Sequence, residues 1–178
     1  MESVLDDAVV AQIRDAVDPG RLLDTAIALI EVPSPTLSAG DAADRLARLL
    51  VDDGFAVERP VADWPEAPAV VTRLDTGKPG PTLQFDGHLD TVHLPFVAPR
   101  VEDGVLYGSG TSDMKGGIAC ILNMLRAVSN SGHTLPGELS FSGVIDEEAY
   151  GKGAKAMLET DLARVDAIVL ADPYPGDE

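Results

Sequence analysis

The fold of this chain is decided by residues 82–90, TLQFDGHLD, in which a short β-type run gives way to a histidine and an aspartate. Two further apolar runs end in the same way, Glu138–Ile145 before an acidic triplet and Asp166–Ala171 before Asp172. Segments with helical periodicity lie between these runs. Alternation of strands and helices predicts an α/β domain of three layers, with a largely parallel mixed sheet flanked by helices.

The remaining elements follow from hydrophobic periodicity and from turn residues. Asp18 and Pro19 predict the start of a helix, and Pro33 predicts its end. Further helices are predicted from Asp41 to Gly54, from Asp113 to Ser129 and over Gly153–Glu159; further strands over Ala56–Val61, Ala69–Leu74 and Thr82–Phe85; and a hairpin near Val101–Tyr107. The Asp166–Ala171 strand and Cys120 are both expected to be buried, because both belong to apolar runs.

Composition excludes several classes of partner. The 178 residues carry 30 acidic and 13 basic side chains, a formal net charge of -17, so nucleic acid and anionic membrane surfaces would be repelled. Cys120 is the single cysteine, and no intrachain disulfide can form. The N-terminal residues do not have the pattern of a signal peptide, and no apolar run has the length of a membrane span. A cytoplasmic location is expected.

His88 and Asp90 are residues of the kind that build metal sites. Because they are two apart in an extended segment, their side chains share a face. Asp90 can then accept the second N–H of the imidazole and fix the tautomer that binds metal. Asp113, at the start of a predicted helix, is expected to act as its N-cap. Its two oxygens would also allow it to bridge two cations about 3.5–4 Å apart.

The triplet Asp146-Glu147-Glu148 follows a strand that is expected to be buried. Crowded carboxylates at such a position are costly unless a cation compensates their charge. One of two adjacent glutamates can then bind metal while the other stays free as a general base. Asp172 ends the next strand, and Pro173 keeps the chain extended there. The two other histidines have no acidic partner at ligand spacing; His93 is expected only at the rim of the site and His133 in a surface loop.

Three motifs, in this order, resemble the M20 family of zinc-dependent peptidases and deacylases. They are His88-x-Asp90, the run YGSGTSDMKGG at residues 107–117, and Asp146-Glu147-Glu148. The resemblance implies a hydrolase that cleaves the amide bond of a small peptide or N-acyl amino acid through a metal-activated water. It also implies two zinc ions per site, for which cobalt or manganese could substitute.

The resemblance assigns roles residue by residue. His88 and Asp172 would bind one zinc, Glu148 would bind the other, and Asp113 would bridge them. Glu147 would be the general base, and Asp90 would orient His88. The Asp113–Met114 peptide bond is expected to be cis. At the fourth ligand position many deacylase and carboxypeptidase members have Glu before Pro, whereas Asp172 is closer to the aminopeptidase and dipeptidase members.

Members of this family are longer than this chain, with an inserted lid (dimerisation) domain and a final His ligand that has no match up to Glu178. Residues 1–178 are therefore expected to form the N-terminal portion of the catalytic domain, to be inactive alone, and to form a homodimer only where the lid is present. The alternative hypothesis is a non-catalytic metal- or peptide-binding domain that retains the scaffold. A nucleotide-binding domain is excluded, because residues 108–116 lack a phosphate-loop spacing.

Overall fold

A computed structural model describes residues 6–61, 65, 68–92 and 94–173. The helices in these residues are α1 (Asp7–Asp15), α2 (Pro19–Ile30), α3 (Gly40–Asp52), α4 (Gly116–Asn130) and α5 (Lys152–Leu158). The strands are β1 (Val57–Glu58), β2 (Val70–Asp75), β3 (Thr82–His88), β4 (Arg100–Glu102), β5 (Val105–Tyr107), β6 (Glu138–Val144) and β7 (Ala167–Leu170). No helix in this part of the chain is both long and apolar enough to cross a membrane.

Five strands form a mixed sheet in the order β1-β2-β6-β3-β7, and β4 and β5 form a separate hairpin. β3 runs parallel to both β6 and β7, whereas β1, β2 and β6 pair antiparallel. His88 is aligned with Val144, and Asp86 with Leu170. The carboxyl ends of β3, β6 and β7 therefore meet at one edge of the sheet, where open α/β sheets bind their ligands.

Helices cover both faces of the sheet, which confirms the three-layer α/β fold. On one face α3 and α4 contact β2, β3 and β6, and α2 packs against these two helices. The core of this layer includes Leu46, Leu122 and Phe141, all fully buried. Gly143 on β6 lies so close to α3 that an added Cβ would come 2.5 Å from Leu46 Cδ2. On the other face, Met157 of α5 packs with a smaller cluster on β2 and β6.

The structure corrects two expectations of burial. All four residues of β7, an edge strand of the sheet, are exposed; Leu170 is 65% exposed. Cys120 is also exposed, since α4 turns its neighbours Ala119 and Ile121 inward and position 120 outward. The sequence analysis missed α1, none of whose residues is fully buried; Val9, Val10 and Ile13 are half-buried, and the helix contacts α4.

The buried face of α3 supplies a test of the fold. Leu46→Ala should lower the free energy of unfolding by about 3 kcal/mol, because it removes a fully buried side chain from a close-packed core. Leu158→Ala, at a position 76% exposed, is the matched control and should change it by less than about 0.5 kcal/mol. Urea denaturation measures both, and equal losses in the two variants would contradict the placement of α3.

Candidate metal centre

His88, the last residue of β3, lies at the centre of a cluster of carboxylates. Its side chain is 2% exposed, and its Nε2 lies 2.9 Å from Asp113 Oδ1. Asp172 Oδ1 is 3.5 Å from the same nitrogen, and Glu147 Oε2 is 3.8 Å from it. Carboxylates that follow two neighbouring strands, and one from a turn, thus surround a single ring nitrogen at the end of β3. This convergence is the one that the strand ends predict.

Asp113 lies in a tight turn, Thr111–Lys115, and not at a helix N-cap as expected. Its φ and ψ are -120° and 100°, and α4 begins three residues later at Gly116. The Asp113–Met114 peptide bond is cis, which confirms the expectation drawn from the family resemblance. Lys115 ties the turn to the segment after α2, because its buried Nζ donates a 2.8 Å hydrogen bond to the carbonyl oxygen of Val32.

Asp90 connects the end of β3 to the end of β6. Its fully buried carboxylate accepts hydrogen bonds from the backbone N–H of Glu147 (3.1 Å) and of Glu148 (3.2 Å). His88 Nδ1 lies 3.0 Å from the backbone oxygen of Asp90 and 3.6 Å from its carboxylate. Both acceptors come from Asp90, as the two-residue spacing predicts, but the carbonyl is the nearer one. One buried carboxylate therefore fixes the backbone position of both glutamates.

The segment after α2 supplies a further donor that the sequence analysis missed. Thr36 Oγ1 donates to Asp90 Oδ2 at 3.2 Å and lies equally close to the backbone oxygen of Thr91. Ser34 Oγ donates to the backbone oxygen of Leu89 at 2.7 Å, and Pro35 bridges to Thr91. The hydroxyls of Ser34 and Thr36, each directly after a proline, were the only local sign of this contact, and the prolines alone explained the end of the helix.

The electrostatics of the cluster favour a positive charge beside His88. Burial opposes protonation of the ring, but the hydrogen bond and the charge of Asp90 outweigh it. Together with the nearby Glu147 and Asp113, they raise the pKa of His88 to about 9. Burial, and then the charge of Asp113, raise the pKa of Glu148. Burial also opposes ionisation of Asp90, but its hydrogen bonds prevail and lower its pKa. A region that attracts protons in this way also attracts metal cations.

The donor atoms fit a metal ion. One ligand atom from each of His88, Asp113 and Glu148 lies within 4.8 Å of the others. One imidazole nitrogen and carboxylate oxygens are a donor set that first-row divalent cations accept. Asp172 approaches the same ring nitrogen from β7. The chain thus has a cluster of side chains that can hold a metal ion.

Cavities lie on both sides of the cluster. One has a volume of about 470 Å³ and is bordered by Asp113 and Glu148. The other, of about 260 Å³, is bordered by His88, Glu147 and Asp172. Of the two other histidines, His93 lies outside the described residues, and His133 contacts Gln12 of α1, away from the cluster.

Thr36→Val tests whether the hydroxyl of Thr36 positions the cluster through Asp90. The substitution keeps the shape of the side chain and removes one hydrogen bond to a buried carboxylate. We expect about 10-fold weaker zinc binding, because groups that orient metal ligands typically contribute that much. Isothermal titration calorimetry measures the affinity.

Thr36→Ser is the matched control, since it keeps the donor and loses only a methyl group. It should bind zinc with an affinity within about 3-fold of the unsubstituted chain. Zinc binding unchanged in Thr36→Val would show that Asp90 is held without this hydroxyl.

Comparison with known proteins places the chain in a family. The profile of peptidase family M20/M25/M40 matches residues 84–176, more than half of the chain. Among curated proteins, succinyl-diaminopimelate desuccinylase of Methylorubrum populi is 38% identical over 87% of this chain and 44% of its own length. The enzyme of the same name from Methylobacterium radiotolerans is 40% identical, over 87% and 43%. The chain thus spans less than half the length of these relatives.

Solved structures agree in fold. A tripeptidase from Staphylococcus aureus has a TM-score of 0.75 and 26% identity, over 89% of this chain and 44% of that protein. An M20 family metallo-carboxypeptidase from Sulfolobus solfataricus has a TM-score of 0.74 over 84% of this chain and 37% of that protein; at 18% identity it supports the fold alone. The three sequence motifs, the positions of His88 and Asp113 and the profile match agree: this chain belongs to peptidase family M20/M25/M40.

Proposed function

We propose that this chain is the metal-binding portion of the catalytic domain of a hydrolase that cleaves an amide bond. The observation that carries the proposal is the convergence on His88 Nε2, around which three carboxylates from different elements lie within 3.8 Å. Such crowding of negative charge around a buried ring is costly unless a cation is bound there. Family membership and the names of the relatives support hydrolysis as the purpose of that cation.

We propose zinc as the metal, with cobalt or manganese able to take its place. His88 and Asp172 would hold one ion, Glu148 would hold a second, and Asp113 would lie between them. Asp113 lies 2.9 Å and Asp172 3.5 Å from Nε2 of His88. These distances are compatible with one ion shared among the side chains of His88, Asp113 and Asp172. A structure of a Bacillus subtilis relative is described as a dinuclear metal-binding peptidase, which supports two ions.

Glu147 is the candidate general base. Its carboxylate is 49% exposed, borders the smaller cavity and is not one of the three residues with the closest ligand atoms. A bound divalent ion would lower the pKa of an attacking water and polarise the substrate carbonyl. A Glu147 oxygen would accept the proton of that water and return it to the leaving amine nitrogen. The hydrogen bond from the Glu147 backbone to Asp90 keeps this carboxylate beside the cluster.

The substrate class that we propose is a short peptide or an N-acyl amino acid. The desuccinylases at 38% and 40% identity favour removal of an acyl group, and the tripeptidase at 26% identity favours a peptide. A homodimer formed through a lid domain, a cytoplasmic location and the lack of nucleic-acid or membrane partners stay predictions from the sequence.

Replacing His88 tests the metal site directly. His88→Ala should reduce zinc bound by the purified chain by about one equivalent, since the ring is the only nitrogen donor in the cluster of described ligands. His133→Ala is the matched control, because His133 lies against α1 and away from the cluster. Elemental analysis after dialysis measures both. Unchanged zinc content in His88→Ala would overturn the ligand assignment.

The two adjacent glutamates should behave differently. Glu148→Gln should lower metal content, whereas Glu147→Gln should keep the metal and reduce amide hydrolysis by at least about 100-fold, the usual contribution of a general base. Hydrolysis is assayed in the full-length protein with N-succinyl and N-acetyl amino acids and with tripeptides. Equal metal content and equal residual activity would contradict this division of roles. Metal binding without turnover of any of these amides would favour a non-catalytic binding domain instead.

A further inference from the structure

The larger cavity beside the candidate metal centre has a wall of its own, formed by the β4–β5 hairpin. Its volume of about 470 Å³ lies in the range of small-molecule sites. Asp113 and Glu148 border it on the metal side, and the hairpin contributes Arg100 and Tyr107. Apolar residues that line the cavity include Val92 and Leu94. A molecule in this cavity would reach from the metal ligands to the hairpin.

Arg100 makes two contacts on this wall. Its Nε donates a 2.9 Å hydrogen bond to Glu102 Oε1, and the centre of its guanidinium group lies 4.5 Å from the centroid of the Tyr107 ring. Arg100 and Tyr107 are also paired across the hairpin. The hydrogen bond to Glu102 uses the Nε edge of the guanidinium group, and the contact with Tyr107 uses its face. Among the described residues, none accepts a hydrogen bond from its two terminal nitrogens.

We propose that Arg100 binds a carboxylate of the substrate, in a subsite of the cavity that Asp113 and Glu148 also line. The inference rests on the proposed amide hydrolysis and adds a specificity for anionic substrates. A guanidinium group with two free terminal nitrogens can bind a carboxylate through two parallel hydrogen bonds. Since Arg100 is already oriented by Glu102 and Tyr107, little side-chain entropy is lost when the carboxylate binds.

The charges of the residues that line the cavity favour an anionic group of the ligand beside Arg100 and nowhere else in the cavity. Arg100 is the one cationic side chain among the described residues that line the cavity. Asp113 and Glu148, which line the same cavity, are the proposed metal ligands. A carboxylate is attracted to Arg100, and the amide carbonyl of the same molecule is then directed to the metal side. The carboxylate could belong to the acyl half or to the amine half of the substrate.

The alternative is that Arg100 has no role in ligand binding and only forms a surface ion pair with Glu102. Its side chain is 49% exposed and that of Glu102 is 59% exposed, and exposed pairs contribute little to stability. An ion pair of that kind predicts no preference among ligands. Ligand selectivity therefore distinguishes the two roles, whereas the stability of the chain does not.

The test compares the binding of matched probes to the zinc-loaded chain by calorimetry. Succinate and butyrate have the same number of carbons, and only succinate has a second carboxylate; this pair represents the acyl half. N-acetylglycine and N-ethylacetamide differ in the same way and represent the amine half. We expect the member with the additional carboxylate, succinate or N-acetylglycine, to bind at least about 10-fold more tightly than its partner in one of the two pairs, the effect of one charge-assisted hydrogen-bonded pair.

Arg100→Gln should abolish that preference and leave the zinc content unchanged, and Arg100→Lys should restore only part of it. Arg164→Gln is the matched control, because Arg164 also forms an exposed ion pair with an acidic residue but does not line the cavity. The pair that shows the preference identifies the half of the substrate that Arg100 binds. Preferences that persist in Arg100→Gln, or no preference in either pair, would overturn the subsite. A chain that fails to bind zinc would instead contradict the proposed function.

Discussion

The candidate site depends on the buried carboxylate of Asp90, a residue that is not one of the proposed metal ligands. Asp90 is fully buried, and a buried carboxylate is tolerated only when hydrogen-bond donors compensate for the lost hydration. Its donors are the backbone N–H groups of Glu147 and Glu148 and the hydroxyl of Thr36. Because the two glutamates follow β6 and Asp90 follows β3, this one group fixes the relative position of two strand ends. The proposed base Glu147 and the proposed metal ligand Glu148 are positioned by the same hydrogen bonds that make the buried charge tolerable.

Further carboxylates lie near Asp90, and not all of them accept hydrogen bonds from described residues. Asp146, the residue before the two glutamates, is fully buried with φ of 66°, and no described residue donates a hydrogen bond to its side chain. Asp113 and Asp172 approach His88 from two other elements. A cation bound at the proposed site would offset the repulsion among these carboxylates, and its binding would then stabilise this edge of the sheet, as metal binding does in metal sites generally.

Residues at the strand ends were predictable from the sequence because topology alone brings them together. Once β3, β6 and β7 are parallel neighbours, His88, Glu147 and Asp172 must meet at one edge, whatever the packing around them. The family resemblance added the cis bond after Asp113, which no local pattern predicts. Local patterns predicted Asp113 wrongly, because an aspartate before a helical run resembles an N-cap and the run itself begins three residues later.

Other features depend on contacts between distant parts of the chain. Thr36 and Asp90 are 54 residues apart, so no window of sequence shows their hydrogen bond. The apolar run of β7 indicated a strand but not whether another element covers it. Cys120 was expected inside because its neighbours are apolar, although helical rotation turns adjacent positions to different sides. Periodicity predicts the type of an element better than it predicts which residues have a partner.

The overall charge of the chain and its proposed preference for an anionic substrate are compatible because charges act over different distances. A net charge of -17 repels anions at long range, but salt screens exposed charges beyond about 8 Å at physiological ionic strength. Inside a cavity, where water is partly excluded, the nearest groups dominate. These groups are Asp113 and Glu148, the proposed ligands of a cation, and Arg100, which contacts Glu102 and Tyr107. Two positive positions in an acidic surface can then select a ligand by the spacing of its carbonyl and carboxylate groups.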